Sequence, residues 1–242
     1  MFYSPDIATT SILPEDESQH AIRVLRLVEG DTLDVVDGHG TLYHCHITMA
    51  HPKRCAVAID STTPLPTHWG HRITVVLAPT KQMERMEWAV EKMVEMGIDR
   101  IVPILTEHCE RRVLKPERLE RIIVAAMKQS LKGVKPTLSP TTTIGDLLNE
   151  DIQGERFIAY CDQTLPREQR QLLAKEHIAG SDVTILIGPE GDFSPSEVSL
   201  ALASGYRPVT LGESRLRTET AAVVSVATIH AVDQHDNNSI EH

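Results

Sequence analysis

Residues 185–197 read Ile-Leu-Ile-Gly-Pro-Glu-Gly-Asp-Phe-Ser-Pro-Ser-Glu, and this stretch decides the fold class. The apolar run predicts the end of a buried strand, and the glycine-flanked loop after it leads into a helix. Ser194 suits the N-cap, Pro195 suits the first helical position, and Glu197 completes a capping box. Strands that turn directly into helices build parallel α/β sheets, which bind ligands at the carboxyl ends of their strands. The loop at 188–191 is therefore a candidate ligand site, although an ordinary tight turn has the same composition.

Residues 210–222 read Thr-Leu-Gly-Glu-Ser-Arg-Leu-Arg-Thr-Glu-Thr-Ala-Ala and repeat the pattern of strand end, glycine and helix start. Arg215, Arg217 and Glu219 place charges at this predicted strand end instead of spreading them along a helix face. Such clustering favours a binding site. The alternative is an arginine–glutamate pair that caps the helix.

Short apolar strands alternate with helical segments from residue 72 onward. Strands are predicted at 73–78, 100–105, 157–160, 183–187 and 208–211, and helices at 81–96, 116–132, 167–177, 195–204 and 218–232. Gly97 stands where the first of these helices needs a C-cap. This alternation predicts an α/β domain with a mostly parallel sheet that is covered on both faces.

The first 68 residues follow a different pattern and predict a small β-rich domain. Alternating segments indicate strands at 32–37, 41–48 and 54–60, and a short helix is expected at 20–26. Residues 61–67 carry two prolines and several threonines, which is typical of a linker. The predicted domains are therefore 1–68 and 69–242.

Charge is distributed unevenly along the chain of 242 residues. The net charge of −10 disfavours a nucleic-acid partner, because phosphate contacts need lysine and arginine. Residues 111–135, however, hold eight basic and two acidic side chains. This segment is either an RNA-docking face or a solvated helix face.

A cytoplasmic location is expected from three further features. The N-terminus lacks the basic and apolar regions of a signal peptide, and no apolar stretch is long enough to span a membrane. The cysteines are far apart in sequence, which is typical of reduced thiols: Cys45, Cys55, Cys109 and Cys161.

Several familiar sites are not supported by the residues. No Gly-x-Gly-x-x-Gly follows the first apolar strand, and neither a Walker loop nor a Gly-x-Ser-x-Gly elbow is present. His44, Cys45 and His46 could place two imidazoles on one strand face as metal ligands. Since no further ligand stands at a telling spacing, a polar strand face is the preferred interpretation, and no metal is expected.

The two glycine motifs resemble those of the ribosomal RNA small subunit methyltransferase E (RsmE) family, in the SPOUT superfamily. Four further segments are similar to signatures of that family, so the resemblance covers most of the chain. They are His20 with Arg23-Val24-Leu25-Arg26; Lys81 with Arg85-Met86-Glu87-Trp88; Thr106-Glu107-His108-Cys109-Glu110-Arg111; and Gln129-Ser130.

This resemblance implies an N-terminal PUA-like β-barrel and a C-terminal SPOUT domain with a trefoil knot. It implies S-adenosylmethionine as the methyl donor, N3 of a uridine in small-subunit (16S) ribosomal RNA as the acceptor, and a homodimer. The donor-binding residues that it implies are Tyr160, Ile187, Gly188, Pro189, Glu190, Gly191, Leu211, Gly212, Leu216, Arg217, Thr218, Thr220 and Ala221.

Two sets of side chains are expected to act on the RNA. A cation near the base oxygens would stabilise the charge that develops during attack, and we expect Arg217 to supply it, with Glu219 orienting it or moving the proton. His20, Arg23 and Arg26 are expected along one helical face for docking. Further candidates for RNA contact are Lys81, Arg111 and Arg112.

Two other functions remain open at this stage. One is a SPOUT methyltransferase that modifies another RNA atom, such as a ribose 2′-hydroxyl. The other is an RNA-binding assembly factor without catalytic activity, which need not bind the methyl donor.

Overall fold

The computed structural model describes residues 1–160 and 171–240, with side chains through His235. Contacts divide the chain into two compact units. The first comprises Met1–His68 and Ile123–Lys135, and the second comprises Trp69–Ile122 and Pro136–His242. We retain 1–68 and 69–242 as the proposed domains along the chain. Within the described residues, no helix has the length and apolar character to cross a membrane.

The first unit is built on a four-stranded sheet in the order β1-β2-β3-β4. Its strands are β1 (Phe2–Tyr3), β2 (Thr32–Val36), β3 (Thr41–Met49) and β4 (Ala56–Pro64). β1 pairs in parallel with β2, and the other neighbours are antiparallel. Alternate residues of these strands face a core that includes Val35, Ile47 and Val57. The three predicted strands of this unit are confirmed.

Two predictions for the first unit are wrong. β4 continues to Pro64, because Thr62 and Thr63 pair with β3 and β-branched residues favour strands, so only 65–67 remain of the predicted linker. The helical segment comprises α1 (Ile7–Thr10), α2 (Glu15–Gln19) and a π-helical turn at His20–Val24. It ends before Arg26, which has a left-handed φ of 59°. Arg26 therefore does not share a helical face with His20.

The second unit contains a parallel sheet, as predicted, and the sheet has seven strands. The strand order is β11-β9-β10-β5-β6-β7, and β8 pairs with β6. The strands are β5 (Ile73–Leu77), β6 (Arg100–Leu105), β7 (Thr137–Leu138), β8 (Thr142–Thr143), β9 (Glu155–Ala159), β10 (Val183–Ile187) and β11 (Arg207–Val209). Every residue of the central strands β5 and β10 is buried, which is why they read as continuous apolar runs.

Helices lie between these strands in the sequence: α3 (Met83–Met96), α4 (Pro116–Gln129), α5 (Ile144–Leu148), α6 (Leu173–Glu176) and α7 (Pro195–Ala203). Helix α8 (Thr218–Ile240) follows the last strand. Gly97 ends α3 with a φ of 120°, as its predicted C-cap role requires. Part of the predicted helix at 167–177 lies outside the described residues. Register pairs Ala159 with both Ile187 and Val209, so the carboxyl ends of β9, β10 and β11 meet at one edge of the sheet.

Candidate functional site

A cavity of about 320 Å³ lies at this edge, where β9, β10 and β11 end. The loops after β10 and β11 and the first turn of α8 form its walls. The predicted donor-site residues that line it are Tyr160, Ile187, Gly188, Pro189, Glu190, Leu211, Gly212, Leu216, Arg217, Thr218 and Ala221. Thus both glycine motifs contribute to one cavity, which their separation in sequence could not establish.

Gly191 and Thr220 are not among the lining residues, and six others line the cavity outside the predicted set: Ala159, Asp192, Val209, Thr210, Ser214 and Arg215. Most of these residues are next to predicted positions in the sequence, so extending each predicted segment by one residue would have included them. Arg215 adds a second exposed cation beside Arg217.

The glycine at 191 meets a packing requirement. A Cβ added there would lie 2.9 Å from the Cβ of His108, which is closer than real side chains approach. The Nδ1–H of His108 donates to the carbonyl oxygens of Gly191 and Asp192, each at 3.0 Å. Gly191 therefore allows the loop around His108 to pack on the loop that follows β10.

The predicted capping box at the start of α7 is confirmed. The Ser194 hydroxyl accepts a hydrogen bond from the Glu197 amide, and the Glu197 carboxylate accepts one from the Ser194 amide at 2.9 Å. The second oxygen of Glu197 also accepts from the Glu107 amide at 2.8 Å. Consequently one side chain caps the helix and fixes a neighbouring loop.

Glu190 brings predicted RNA-contacting residues to the mouth of the cavity. Its carboxylate accepts a hydrogen bond from the Lys81 amide at 3.0 Å, and the Arg111 guanidinium donates to the Lys81 carbonyl at 3.2 Å. The Lys81 ammonium group lies 2.8 Å from Glu110. That hydrogen bond and charge raise the pKa of Lys81, which therefore stays positively charged. Arg112, which follows Arg111 in the sequence, is exposed.

The two predicted catalytic residues occupy different environments. Arg217 is exposed on the cavity wall, and no hydrogen-bond or ion-pair partner for its guanidinium is found among the described residues. Glu219 is buried and does not line the cavity. One of its oxygens lies 3.8 Å from Arg85, and the other has no hydrogen-bond partner among the described residues. The structure therefore does not bring Glu219 to Arg217. Arg85 belongs to one of the family-like segments, but its contact with Glu219 was not predicted.

His20, Arg23 and Arg26 are all exposed in the first unit. The His20 ring packs edge-on against Phe2, with the ring centroids 5.9 Å apart. Arg118, on the basic segment of the second unit, donates to Glu87 at 2.7 Å and is therefore held in an ion pair.

His44 and His46 do not converge on a common point. Nδ1 of His44 lies 2.7 Å from Asp34, and Nδ1 of His46 lies 2.8 Å from Asp60. Cys45 between them faces the core, where burial raises its pKa to about 11. Each imidazole thus pairs with a carboxylate of its own across the sheet.

Comparison with known proteins gives two domain matches. Residues 67–230 match the RNA methyltransferase domain family, and residues 13–60 match the RNA methyltransferase PUA domain. A probable rRNA-methyltransferase from Porphyromonas gingivalis superposes with a TM-score of 0.91 at 47% identity, covering 97% of this chain and 98% of that one.

Two further relatives extend the comparison. A Legionella pneumophila protein with the cofactor S-adenosylmethionine bound gives a TM-score of 0.81 at 27% identity, over 91% of this chain and 90% of its own. Ribosomal RNA small subunit methyltransferase E of Synechocystis sp. is 30% identical, over 93% of this chain and 74% of its own length.

The fold, the cavity and these matches define an RNA methyltransferase domain preceded by a PUA domain. The chain belongs to the ribosomal RNA small subunit methyltransferase E family. The expected fold class, a PUA-like domain followed by a SPOUT-type α/β domain, is confirmed. The knot stays a prediction, since strand pairing alone does not define how the chain threads.

Proposed function

We propose that this chain transfers the methyl group of S-adenosylmethionine to N3 of a uridine in small-subunit ribosomal RNA. The observation that carries the proposal is the cavity in which both glycine loops meet at the carboxyl ends of β9, β10 and β11. A relative of the same fold carries S-adenosylmethionine, and a second is named for methylation of small-subunit ribosomal RNA.

Backbone groups and small side chains suit this cavity to the donor. Gly188, Pro189 and Gly212 expose main chain along the walls, and Leu211 and Leu216 supply apolar surface. When bound, S-adenosylmethionine supplies an electrophilic methyl group on a sulfonium. The protein then needs no nucleophile of its own, and its residues act by holding the uridine nitrogen in line with that methyl.

Arg217 is proposed to stabilise the uridine as N3 loses its proton. Negative charge then spreads onto the two carbonyl oxygens of the base, and a cation aimed at them stabilises it most where water is excluded. Among the described residues the Arg217 guanidinium has no partner, so it is available for this contact. Arg215 lies on the same wall and is available for phosphate.

Glu219 is assigned a positioning role. This residue lies in the first turn of α8, between Thr218 and Thr220, and its carboxylate is buried against Arg85. Because Thr218 lines the cavity, a fixed Glu219 holds the wall that carries Arg217. The proton acceptor is then solvent or an RNA group rather than this carboxylate.

RNA docking is proposed for basic residues of both units. His20, Arg23 and Arg26 would contact phosphates from the PUA-like unit. Lys81, Arg111 and Arg112 would do so beside the donor loop. Such contacts position the RNA without reading its sequence, which fits a substrate recognised in an assembled ribosomal subunit. A homodimer is proposed from the family resemblance, and sedimentation equilibrium measures it directly.

Two measurements test the proposed function. Calorimetric titration should show binding of S-adenosylmethionine, which a non-catalytic assembly factor need not display. Incubation of unmodified small subunits with the protein and donor should yield N3-methyluridine by nucleoside mass spectrometry. Detection of a 2′-O-methyl nucleoside instead would show that the acceptor is the ribose 2′-hydroxyl.

A further inference from the structure

A buried cluster of polar side chains lies at the opposite edge of the parallel sheet from the donor cavity. His71 precedes β5, His177 follows α6, and Asp233 belongs to α8. Their side chains are only 4%, 0% and 10% exposed. Since β5 and β10 are five residues long, the cluster is about 15 Å from the cavity and takes no part in methyl transfer.

The hydrogen bonds of His177 fix which ring nitrogen is protonated. Nδ1 lies 2.7 Å from a Glu155 oxygen, and a carboxylate can only accept, so Nδ1 carries the proton. In the neutral ring Nε2 then presents a lone pair. That lone pair points at an Asp233 oxygen 3.2 Å away, which is also an acceptor. Two hydrogen-bond acceptors at this distance repel each other unless a proton or another cation lies between them.

The contact between His71 and Asp233 also requires a positive charge. Nε2 of His71 approaches the other Asp233 oxygen to 3.2 Å without the geometry of a hydrogen bond. Both atoms are buried without a hydrogen-bond partner among the described residues. An imidazolium at His177 would satisfy Glu155 and one oxygen of Asp233, but it would leave this pair unsatisfied. A cation between the three side chains satisfies all of them.

The donor types, two imidazoles and a carboxylate, are those that bind a tetrahedral metal, and the three side chains converge on one point. Zinc–nitrogen and zinc–oxygen bonds of about 2.0–2.2 Å place neighbouring ligand atoms about 3.3 Å apart. Nε2 of His177 lies 3.2 Å from one Asp233 oxygen and Nε2 of His71 lies 3.2 Å from the other, and one ligand atom from each side chain lies within 4.8 Å of the other two. The Glu155–His177 contact is the carboxylate–histidine pair that orients metal-bound imidazoles.

We propose that His71, His177 and Asp233 bind one divalent transition-metal ion, with zinc favoured by two imidazoles and a carboxylate and a water in the fourth position. The ion would join the start of β5, the segment after α6 and the middle of α8. Its role is then to stabilise the methyltransferase domain and not to serve as a catalyst.

The test is zinc binding by the untagged, full-length protein after chelator treatment. Equilibrium dialysis against zinc, with the metal quantified by mass spectrometry, should give one tightly bound ion per chain and a raised Tm. His71→Gln should lose the ion and the zinc-dependent rise in Tm, because it removes a ligand but leaves the His177–Glu155 contact intact. Glu155→Gln should bind about 10- to 100-fold more weakly.

His46→Gln is the matched control, since His46 also pairs with an aspartate but belongs to no group of three candidate ligands in the part of the chain that the structure describes. It should bind zinc like the wild type. The proposal is overturned if the wild type binds no zinc, or if His71→Gln binds it equally well. Should His71→Gln fail to fold, X-ray absorption of the zinc-loaded wild type decides, since sulfur in its coordination shell would assign the ion to a cysteine.

Discussion

Two residues separated by a single position, one before α8 and one in its first turn, have opposite surroundings. Arg217 is exposed on the cavity wall, whereas Glu219 is buried against Arg85. Residues two apart at a helix start face different directions, so proximity in sequence did not make them a pair. This difference separates a side chain that can reach substrate from one that supports the wall.

Arg217→Ala should leave the affinity for S-adenosylmethionine almost unchanged and lower kcat by about 100- to 1,000-fold, because a charge stabiliser of the transition state is lost. Single-turnover methylation of small subunits measures this effect. Arg217→Lys should recover part of the rate. Arg72→Ala, an exposed arginine at the far end of β5, is the control and should behave as wild type. Unaltered turnover in Arg217→Ala would remove its catalytic assignment.

Gly191→Ala should displace the loop at His108 and weaken binding of S-adenosylmethionine. The added Cβ would meet the His108 Cβ at 2.9 Å, and such overpacking costs about 1–3 kcal/mol in stability. Calorimetry and urea unfolding measure both effects. Gly70→Ala is the matched control, since a Cβ at Gly70 meets nothing within 4 Å. Equal affinities for the two variants would show that this packing does not shape the donor loop.

At the scale of elements, helix α7 illustrates how a local motif also serves the site. Glu197 accepts from Ser194 to close the capping box and from Glu107 in the neighbouring loop. The sequence predicted the first role because the capping box spans only four residues. The second role joins positions 90 residues apart, and spacing along the chain carries no information about it.

Ser194→Ala should lower the free energy of unfolding by about 1 kcal/mol, the usual cost of losing an N-cap. Glu197→Ala should cost more, because the Glu107 amide also loses its acceptor in a part-buried contact. Chemical denaturation provides the comparison. Ser199→Ala, whose hydroxyl donates to the Pro195 carbonyl within the same helix, should have little effect. If Glu197→Ala costs no more than Ser194→Ala, the contact with Glu107 contributes nothing measurable.

Helices and strands with longer sequence patterns were predicted more closely than short ones. The buried strands β5 and β10 and the helices α3 and α7 were predicted closely, since five or more residues carried a continuous signal. β1, β7 and β8 are only two residues long and have no periodicity to detect. Arg26 was misplaced because a π-helical turn ends the helix at Val24, and propensities contain no signal for that ending.

At the scale of the whole molecule, the family resemblance supplied what periodicity could not. Alternating strands and helices predicted a parallel sheet and a cavity at its carboxyl edge, but not its ligand. Most of the residues that line that cavity were named by the resemblance. Which side chains face it, as Arg217 does and Glu219 does not, depends on tertiary packing and required the structure.

If the PUA-like unit docks the RNA, substitutions of its basic residues should weaken RNA binding and leave donor binding unchanged. Arg23→Ala combined with Arg26→Ala should raise the KM for ribosomal subunits and reduce the salt dependence of binding, since two phosphate contacts are lost. Lys53→Ala with Arg54→Ala removes the same charge from another exposed part of this unit and should have little effect. Equal salt dependence in both double variants would refute docking through Arg23 and Arg26.

The central claim is methylation of uridine N3 in small-subunit ribosomal RNA, and nucleoside mass spectrometry of that RNA tests it most directly. A strain that lacks this protein should lose N3-methyluridine from small-subunit RNA. Wild-type protein should restore the modification, and Arg217→Ala should not. An unchanged content of N3-methyluridine in that strain, or loss of a different methylated nucleoside, would contradict the account.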